Sequence, residues 1–255
     1  MFEEPFRWME AISTRHSYVR EKLKKGQPVL GVPYNEGALL MGFAPQAGKV
    51  FEVYDRIAMG ALGHPADVER LRMSLLDMAH LEGFNRSAQD VTIARLLQFG
   101  IAPALKQNFE EVMRAPYLAQ LLLVEITPKN EALFYRLNYD GFWETFKKGC
   151  VIAGDPRAMA SIEKEIDNTP FATYSLEEAL DAACGLWARG LLAAAEEAAS
   201  DNGEKKEDAP PALKEAFERW PLEAAVLCHK TERPSLYRPL TAGEIDALKN
   251  RVAGA

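Results

Sequence analysis

Two short stretches of the sequence contain residue types that could carry out chemistry. Gly42 begins a segment that follows an apolar run and ends in a Gly-Lys pair at Lys49, as a phosphate-binding loop does. Its gap holds five residues where that motif requires four, and Val50 replaces the Ser or Thr that binds magnesium. Cys228 and His229 are adjacent, but neighbouring side chains on a strand point to opposite faces. The sequence therefore predicts neither a nucleotide site nor a thiol–imidazole pair.

The other residues that could bind a metal or form a disulfide are isolated. The single histidines His16, His64 and His80 lack the spacing of metal ligands, and no HExxH helix or GxSxG elbow occurs. The three cysteines contain no CxxC pair and are odd in number, which argues against a zinc cage or a disulfide framework. We expect reduced thiols, as in cytosolic proteins, and no metal or cofactor.

The composition is that of a globular protein. The chain has 255 residues, of which 48% are hydrophobic and 26% charged, so it needs no disulfide or metal to fold. Its formal net charge of −7, without a long basic block, argues against nucleic acid or an anionic membrane as the main partner. No run approaches the ~20 apolar residues of a membrane span, and the acidic start lacks the pattern of a signal peptide. We therefore expect a soluble, cytoplasmic protein.

A helix is predicted near the start of the chain. Met9, Ile12, His16, Val19 and Leu23 recur at spacings of three and four, which aligns them on one stripe. Three lysines then precede a glycine, an ending typical of a helix whose C-terminal dipole favours cations.

Four short strands are predicted next, because apolar pieces alternate with turn residues at short intervals. Turn residues at such short intervals indicate antiparallel hairpins rather than parallel crossover connections. The predicted strands are Val29–Val32, Ala38–Phe43, Val50–Tyr54 and Ile57–Leu62.

Helix pairs and a second group of strands fill the middle of the chain. Two helices, several strands and two further helices follow one another, with capping residues or turn signals between them. In chain order the signals are Pro65, a Ser87–Asp90 capping box, strands between Leu118 and Gly154 with a turn at 139–141, Asp155-Pro156, and a Ser175–Glu178 capping box.

The last part of the chain begins with a break in the pattern. Residues 200–211 are polar and rich in helix breakers, which predicts a flexible surface insertion. A strand from Leu222 to Cys228, another near Tyr237 and a helix capped by Thr241 and Glu244 follow it. The complete order predicts an α+β fold, a four-layer αββα sandwich with two antiparallel sheets between helix layers.

Several segments, in this order and spacing, resemble one protein family over roughly Tyr18 to Leu248. They are Lys24-Lys25-Gly26, Val29-Leu30-Gly31, Gly37-Ala38-Leu39-Leu40, the run from Lys49 to Ile57, Gly63, Arg114-Ala115-Pro116-Tyr117, the run from Tyr135 to Gly141, and the run from Leu222 to Leu227. Together they look like a proteasome core-particle subunit, most similar to the bacterial, actinobacterial-like α-type. The resemblance implies the αββα sandwich of the N-terminal-nucleophile hydrolases, the same fold class that the element order predicts.

The resemblance also bears on catalysis. The β-type relatives use an N-terminal Thr, Ser or Cys as nucleophile at the start of the first strand. Here that place reads Gly26-Gln27-Pro28, and the acidic partner on the second strand would fall near Phe43. Lys49 matches the family's lysine but has no nucleophile to serve. We therefore expect a non-catalytic α-type subunit, which forms the outer ring of the particle for intracellular protein degradation.

Partners and binding residues follow from the same resemblance. α-type subunits form rings, expected to be sevenfold, that cap β-type rings, gate substrate entry and bind the C-terminal tails of an ATPase or other activator. The residues that match the activator pocket are Lys49 and Gly26. The residues that match the gate and pore are Phe2, Glu3, Glu4, Arg114, Pro116 and Tyr117. On this basis residues 1–25 form a gate segment and ring-contact helix, and residues 26–255 form one sandwich domain.

Two alternatives stay open at this point. A free-standing N-terminal-nucleophile hydrolase would lose its first residues up to a Thr, Ser or Cys, so the intact mass of the protein distinguishes it from an α-type subunit. An inactive interaction module of the same fold would lack a protease partner, which co-purification would reveal.

Overall fold

The computed structural model of the protein describes residues 4–44, 48–200 and 209–252. The helices are α1 (Glu4–Leu23), α2 (Pro65–Asn85), α3 (Ile93–Leu96), α4 (Ala102–Glu110), α5 (Pro156–Asn168), α6 (Leu176–Ser200), α7 (Ala209–Arg219) and α8 (Ala242–Val252). The strands are β1 (Val29–Tyr34), β2 (Gly37–Phe43), β3 (Val50–Tyr54), β4 (Ile57–Gly63), β5 (Ala119–Ile126), β6 (Ala132–Leu137), β7 (Trp143–Phe146), β8 (Cys150–Ile152), β9 (Leu222–Cys228) and β10 (Tyr237–Pro239).

These strands form two five-stranded sheets. The first has the order β10-β9-β2-β1-β8, and the second has the order β3-β4-β5-β6-β7. Every pair of neighbours is antiparallel. The predicted fold class, an α+β sandwich with two antiparallel sheets, is confirmed.

Three apolar clusters define the layers of the sandwich. Side chains of the first sheet pack against α5–α8, where Ile162 and Trp187 are fully buried. Side chains of the second sheet pack against α2–α4. The third cluster lies between the sheets and includes Val19 and Leu23 of α1. Alternate residues of one strand serve different layers, since Leu121 faces the helices and Leu122 faces the other sheet.

Most predicted helix starts and turns have the expected geometry. Pro65 is the first residue of α2, and the Asp155 side chain caps α5 by accepting from two backbone N–H groups. The Ser175–Glu178 and Thr241–Glu244 capping boxes are both formed. The turn between β6 and β7 has Gly141 at φ +81°, which explains the glycine there.

The helix start predicted at Ser87 is wrong. Ser87 bonds to the Asp90 carboxylate and makes no cap, so residues 88–90 form only one 3-10 turn. The helix begins at Ile93, where Thr92 is the cap and accepts from the N–H of Arg95 at 3.4 Å. The helix then widens into a π-helical segment, Leu97–Ile101, ahead of α4. Pro103 lacks the N–H that would bond to the carbonyl of Phe99, so a regular α-helix could not continue unbroken there.

Two other features differ from the sequence pattern. Met9 was expected on the buried stripe of α1 but is 62% exposed, whereas Arg15 on the same helix is buried. Helix α7 was not predicted, and it begins inside the proposed insertion because Pro210 and Pro211 occupy its first turn, where proline is tolerated. Of the insertion predicted at residues 200–211, Ser200 is the last residue of α6 and residues 209–211 belong to α7. Residues 201–208 lie outside the described residues.

Among the helices that the structure describes, none is both long and apolar enough to cross a membrane.

Candidate functional site

A cavity of about 460 Å³ opens where several elements end close together. Its walls come from the C-terminal end of α1, the chain that enters β1, the start of β3, the end of β4 and the start of α2. Both apolar and cationic side chains contribute to its lining. The lining includes Lys22, Lys25, Lys49, Phe51, Leu62 and Val68. We refer to this space as the Lys49 cavity.

Lys49 immediately precedes β3, and only 8% of it is exposed. Its Nζ donates to the main-chain carbonyl of Gln27 at 3.0 Å, which is its one hydrogen-bond acceptor among the described residues. Burial lowers the pKa of Lys49 from 10.5 to about 8, and the nearby carboxylate of Glu223 opposes this shift. An ammonium group has three donors, so Lys49 retains the capacity to bind an anionic ligand.

Glu223, which the sequence analysis did not single out, binds the main chain of Lys49. Its carboxylate accepts from the N–H groups of Gly48 at 2.9 Å, Lys49 at 2.6 Å and Val50 at 3.1 Å. Three successive N–H groups that converge on one anion form a backbone nest, and Gly48 adopts a φ of +93° to permit it. The available signal was a lone acidic residue inside the otherwise apolar strand β9.

Gly26 and Lys49, the two residues predicted to share an activator pocket, both line this cavity. A Cβ on Gly26 would come within 2.7 Å of the Leu62 side chain, so the space available to residue 26 is limited by Leu62. The Gly26 carbonyl also accepts from the N–H of Gly154 at 3.1 Å, and a Cβ on Gly154 would meet the Leu23 carbonyl at 2.0 Å. These close approaches fix the end of α1 against β1 and β8.

The cavity offers binding groups of both polarities. Lys22 and Lys25 are exposed at its edge, and Glu69 across from them is paired with Arg72 at 2.7 Å. The side-chain oxygen of Gln27 is buried without a hydrogen-bond partner among the described residues. The Lys49 cavity can therefore accept a carboxylate at Lys49.

Residues 26–28, which lead into β1, contain no hydroxyl or thiol side chain. The N–H of Gly26 donates to the Leu23 carbonyl at 2.7 Å, so the chain runs directly from α1 into β1. At the predicted place of the acidic partner, the buried ring of Phe43 lies 4.4 Å from that of Trp187. The Trp187 indole N–H donates to the Pro28 carbonyl at 3.2 Å. Aromatic packing therefore occupies the region where a nucleophile would need its partner.

The predicted pore-loop residues lie in a separate place. Arg114, Pro116 and Tyr117 belong to the connection between α4 and β5, and they line a cavity of about 560 Å³. Arg114 is paired with Glu111 at 3.1 Å, and the Arg70 guanidinium lies 6.0 Å from the Tyr117 ring centre. Of the predicted gate residues, Phe2 and Glu3 lie outside the described residues, and Glu4 is the first residue of α1.

Arg15 connects α1 to this loop and was also missed in the sequence analysis. Its guanidinium donates to four main-chain carbonyls, those of Asn108 at 3.2 Å, Phe109 at 2.9 Å, Val112 at 3.2 Å and Arg114 at 2.7 Å. The signal was its position on the helical stripe between Ile12 and Val19. A charged residue on a buried stripe needs several partners, and here the end of α4 and the loop provide them.

In the described part of the chain, no group of three or more His, Cys, Asp or Glu side chains could hold a metal ion. Cys228 is half-buried in β9, and its proximity is one of the causes, after burial, that raise the pKa of Tyr34. Cys150 and Cys184 are buried, which raises the pKa of each thiol to about 12.

Known proteins with similar sequences agree with the predicted resemblance. Residues 23–204 match the family model described as Proteasome subunit. A proteasome subunit alpha from Actinosynnema mirum is 31% identical over 229 residues, which cover 88% of this chain and 78% of that protein. One from Saccharomonospora viridis is 28% identical over 240 residues, covering 92% and 85%. With the Geodermatophilus obscurus subunit the match is shorter, 30% identity over 59% of this chain and 53% of that protein.

Proposed function

Because this chain belongs to the proteasome subunit family, we propose that it is a non-catalytic α-type subunit of a bacterial proteasome core particle. In this role it forms the outer ring, gates the entry of substrates and docks an ATPase or other activator for intracellular protein degradation. The curated relatives with which it aligns are α subunits of actinobacteria. The proposed compartment is the cytoplasm.

The observation that carries the docking role is the position of Lys49. Within the described part of the chain, Lys49 is a largely buried ammonium with one acceptor, in an open cavity with apolar side chains in its walls, which suits the C-terminal carboxylate of an extended tail. Gly26 and Leu62 form the adjoining wall, so the tail would pack against both.

Assembly into a ring is supported by the surface of the N-terminal helix. A closed ring requires two different patches on each subunit, one of which meets the other on the next copy. Apolar side chains are exposed on α1 after residue 8 and on the loop that Arg15 holds; among them are Met9, Val112 and Met113. Such side chains are candidates for burial against a neighbouring copy or a β-type subunit.

The docking role is tested by Lys49→Ala in the assembled particle. Truncation of one partner of a partly desolvated charge pair costs about 2–5 kcal/mol, which is more than tenfold in affinity at each site. Several tails bind one ring, so avidity amplifies the loss. We expect Lys49→Ala to abolish activator-stimulated protein degradation while basal peptide hydrolysis is unchanged. Lys49→Arg should restore only part of the stimulation, because a guanidinium fork is wider than an ammonium.

Lys147→Ala is the matched control for this experiment. Lys147 is exposed in the connection between β7 and β8 and is not part of the Lys49 cavity, so its loss should leave stimulation unchanged. If Lys49→Ala binds the activator as tightly as the wild type does, the pocket assignment is wrong.

The alternative of a free-standing hydrolase is disfavoured by the aromatic pair of Phe43 and Trp187 and by the absence of a hydroxyl or thiol at 26–28. The intact mass of the purified protein separates the two. A hydrolase loses its first residues up to a Thr, Ser or Cys, and an α-type subunit does not. An interaction module without a protease partner would fail to co-purify with a β-type subunit.

A further inference from the structure

The charges that line the Lys49 cavity are predominantly positive. Besides Lys49 itself, the ionisable side chains of its lining are Lys22 and Lys25 from the end of α1 and Glu69 from α2. Glu69 is already paired with Arg72 at 2.7 Å, so its negative charge is largely balanced. The chain as a whole has a formal net charge of −7. The positive excess is therefore a local property of this cavity, and it favours a negatively charged ligand.

Lys22 and Lys25 are available to such a ligand. Both are exposed, and within the described ranges neither ammonium has a carboxylate partner. The Nζ of Lys22 lies 5.6 Å from the centre of the Tyr18 ring. Lysines at the end of a helix also stabilise its dipole, but Lys24 can do the same without lining the cavity. The helix dipole thus accounts for a basic helix end and not for two cations on the cavity wall.

The size of the cavity suits the last few residues of an extended tail. A compact space of about 460 Å³ is about 10 Å across, which is the length of about three extended residues. With the terminal carboxylate at Lys49, the last two side chains lie among the apolar groups of Phe51, Leu62 and Val68. The third and fourth residues from the end then reach the edge of the cavity, where α1 ends. Neighbouring side chains of an extended chain point to opposite sides, so one of these two faces the lysines.

We propose that the Lys49 cavity selects a partner tail that ends in a free carboxylate and has an acidic side chain at the third or fourth residue from that end. Lys49 binds the terminal carboxylate, and Lys22 and Lys25 bind the acidic side chain. The proposal rests on the docking role of Lys49 given above and adds the chemical class of the partner. Complementary charges at the edge of a site select among partners more than they raise affinity.

The expected preference is modest and depends on salt. An exposed ion pair changes an equilibrium constant by about two- to fivefold. A tail with acids at both positions should therefore bind about fivefold more tightly than its neutral counterpart at about 0.05 M NaCl. At about 1 M NaCl, where the Debye length is about 3 Å, this difference should nearly vanish.

Six-residue probe peptides test the preference with the full chain. Each carries a trifluoroacetyl cap, begins with Gly-Ser and ends in Leu-Leu with a free carboxylate. The two residues between are Asp-Asp, Asn-Asn or Lys-Lys. Broadening of the fluorine NMR signal of the peptide measures weak binding in whatever assembly the chain forms. The wild type should bind the Asp-Asp peptide about fivefold more tightly than the Asn-Asn peptide and should bind the Lys-Lys peptide least.

Variants at the end of α1 assign the preference to the two lysines. Lys22→Ala combined with Lys25→Ala should bind the Asp-Asp and Asn-Asn peptides equally. Lys24→Ala combined with Lys147→Ala is the matched control, because it removes the same charge from two exposed residues that do not line the cavity. This control should keep the preference of the wild type. Lys22→Glu combined with Lys25→Glu should reverse it, so that the Lys-Lys peptide binds most tightly.

Each other outcome overturns a defined statement. Suppose that the wild type binds the Asp-Asp and Asn-Asn peptides equally, and that amidation of their carboxylates or Lys49→Ala weakens both. The docking role then stands and the proposal is wrong, a result that needs no variant of α1 to fold. A preference that survives the loss of Lys22 and Lys25, or that disappears in the matched control, means that another surface recognises the acid and also overturns the proposal. If none of the peptides binds, the docking role and the proposal are both wrong.

Discussion

Gly26 and Leu62 meet in the wall of the Lys49 cavity at a distance that admits no extra atom. Cγ and both terminal methyl carbons of Leu62 would lie within 2.8 Å of a Cβ on residue 26. Leu62 is itself almost fully buried between the sheets and cannot move outward freely. Packing against Leu62 therefore favours glycine at position 26, a residue that the family resemblance had only matched to the activator pocket.

Gly26→Ala should lower the free energy of unfolding by about 1–3 kcal/mol, the usual cost of overpacking a close-packed site. Urea denaturation followed by circular dichroism measures this change. Gly243→Ala is the matched control, because a Cβ at that exposed helical position has nothing within 4 Å and should be neutral or stabilising.

Leu62→Ala tests the reason for the Gly26 effect. By itself it should cost about 2–5 kcal/mol through the cavity that it leaves. Combined with it, Gly26→Ala should cost much less than alone, because the clashing atoms are gone. A strictly additive double variant would show that Leu62 is not what excludes the side chain.

At the scale of elements, the side chain of Arg15 joins α1 to the loop between α4 and β5. Arg15 satisfies two carbonyls in the last turn of α4 and two in the loop beyond it. A helix leaves its last four carbonyls without partners, and a guanidinium is suited to several acceptors at once. Arg15 therefore ends α4 and determines the path of the loop that contains Arg114 and Tyr117.

Arg15→Ala should release this loop. Amide hydrogen exchange of residues 108–117 should become faster, because hydrogen bonds to charged groups contribute about 1.5–3 kcal/mol and the freed carbonyls must find water. Arg15→Lys should protect the segment only in part, since an ammonium reaches fewer of the four carbonyls. Exchange in β9, far along the chain and in the other sheet, should be unaffected.

Thr14→Ala is the control on the same helix. Thr14 is exposed and bonds only to the Glu10 carbonyl of α1 itself, so its loss should leave exchange in the loop unchanged. Equal exchange in Arg15→Ala and the wild type would mean that the loop is held by other contacts, such as Asp67 to the N–H of Leu118.

The elements show what the sequence can predict and what it cannot. The four strands from β1 to β4 and three of the helix caps follow from local patterns, because alternation and capping boxes act within a few residues. The start of α3 depends instead on a residue far along the chain, since the carboxylate of Glu125 accepts from the N–H of Ile93 at 2.6 Å. Ser87 and Asp90 have the spacing of a capping box, but the Ser87 hydroxyl donates to the Asp90 carboxylate and does not cap a helix.

The same distinction applies to the site. Lys49 and Gly26 could be predicted because they belong to continuous sequence segments that resemble a family. Glu223 binds backbone groups that are 173 to 175 residues away in the sequence. Arg15 binds backbone groups that are 93 to 99 residues away. No local sequence pattern connects such distant positions. Each was nevertheless visible as a charge where an apolar residue was expected.

At the scale of the whole molecule, α1 borders both candidate functional regions. Its C-terminal end contributes Lys22 and Leu23 to the Lys49 cavity, and its middle contributes Arg15 and Tyr18 to the cavity of the pore loop. In the proposed function, an activator tail would bind at the C-terminal end of α1 and the gate would lie at its N-terminal end. The rigid helix would then connect tail binding to the release of the gate. In the proposed ring, the residues before and at the start of α1 would converge from all copies toward the axis.

Deletion of residues 2–8 should open the particle. The segment contains the predicted gate residues Phe2, Glu3 and Glu4 and the first part of α1, including half-exposed Trp8. Its removal leaves Arg15 and the contacts of α1 with the loop intact, so the ring should still assemble. Hydrolysis of fluorogenic peptides by the assembled particle should therefore rise, whereas the chain without β-type subunits should hydrolyse none of them.

The combination of this deletion with Lys49→Ala separates the gate from the docking site. If activator tails act by displacing the gate, a particle without the gate no longer needs them for small peptides, and Lys49→Ala should leave its raised rate unchanged. Degradation of folded proteins should still be lost in the double variant, because unfolding requires the docked ATPase. An unchanged peptide rate in the deletion itself would assign the gate elsewhere, with the loop of Arg114, Pro116 and Tyr117 as the next candidate. A different outcome is that, in the presence of the activator, the deletion raises the peptide rate but the deletion combined with Lys49→Ala does not. The activator would then open the channel by a route that does not involve residues 2–8.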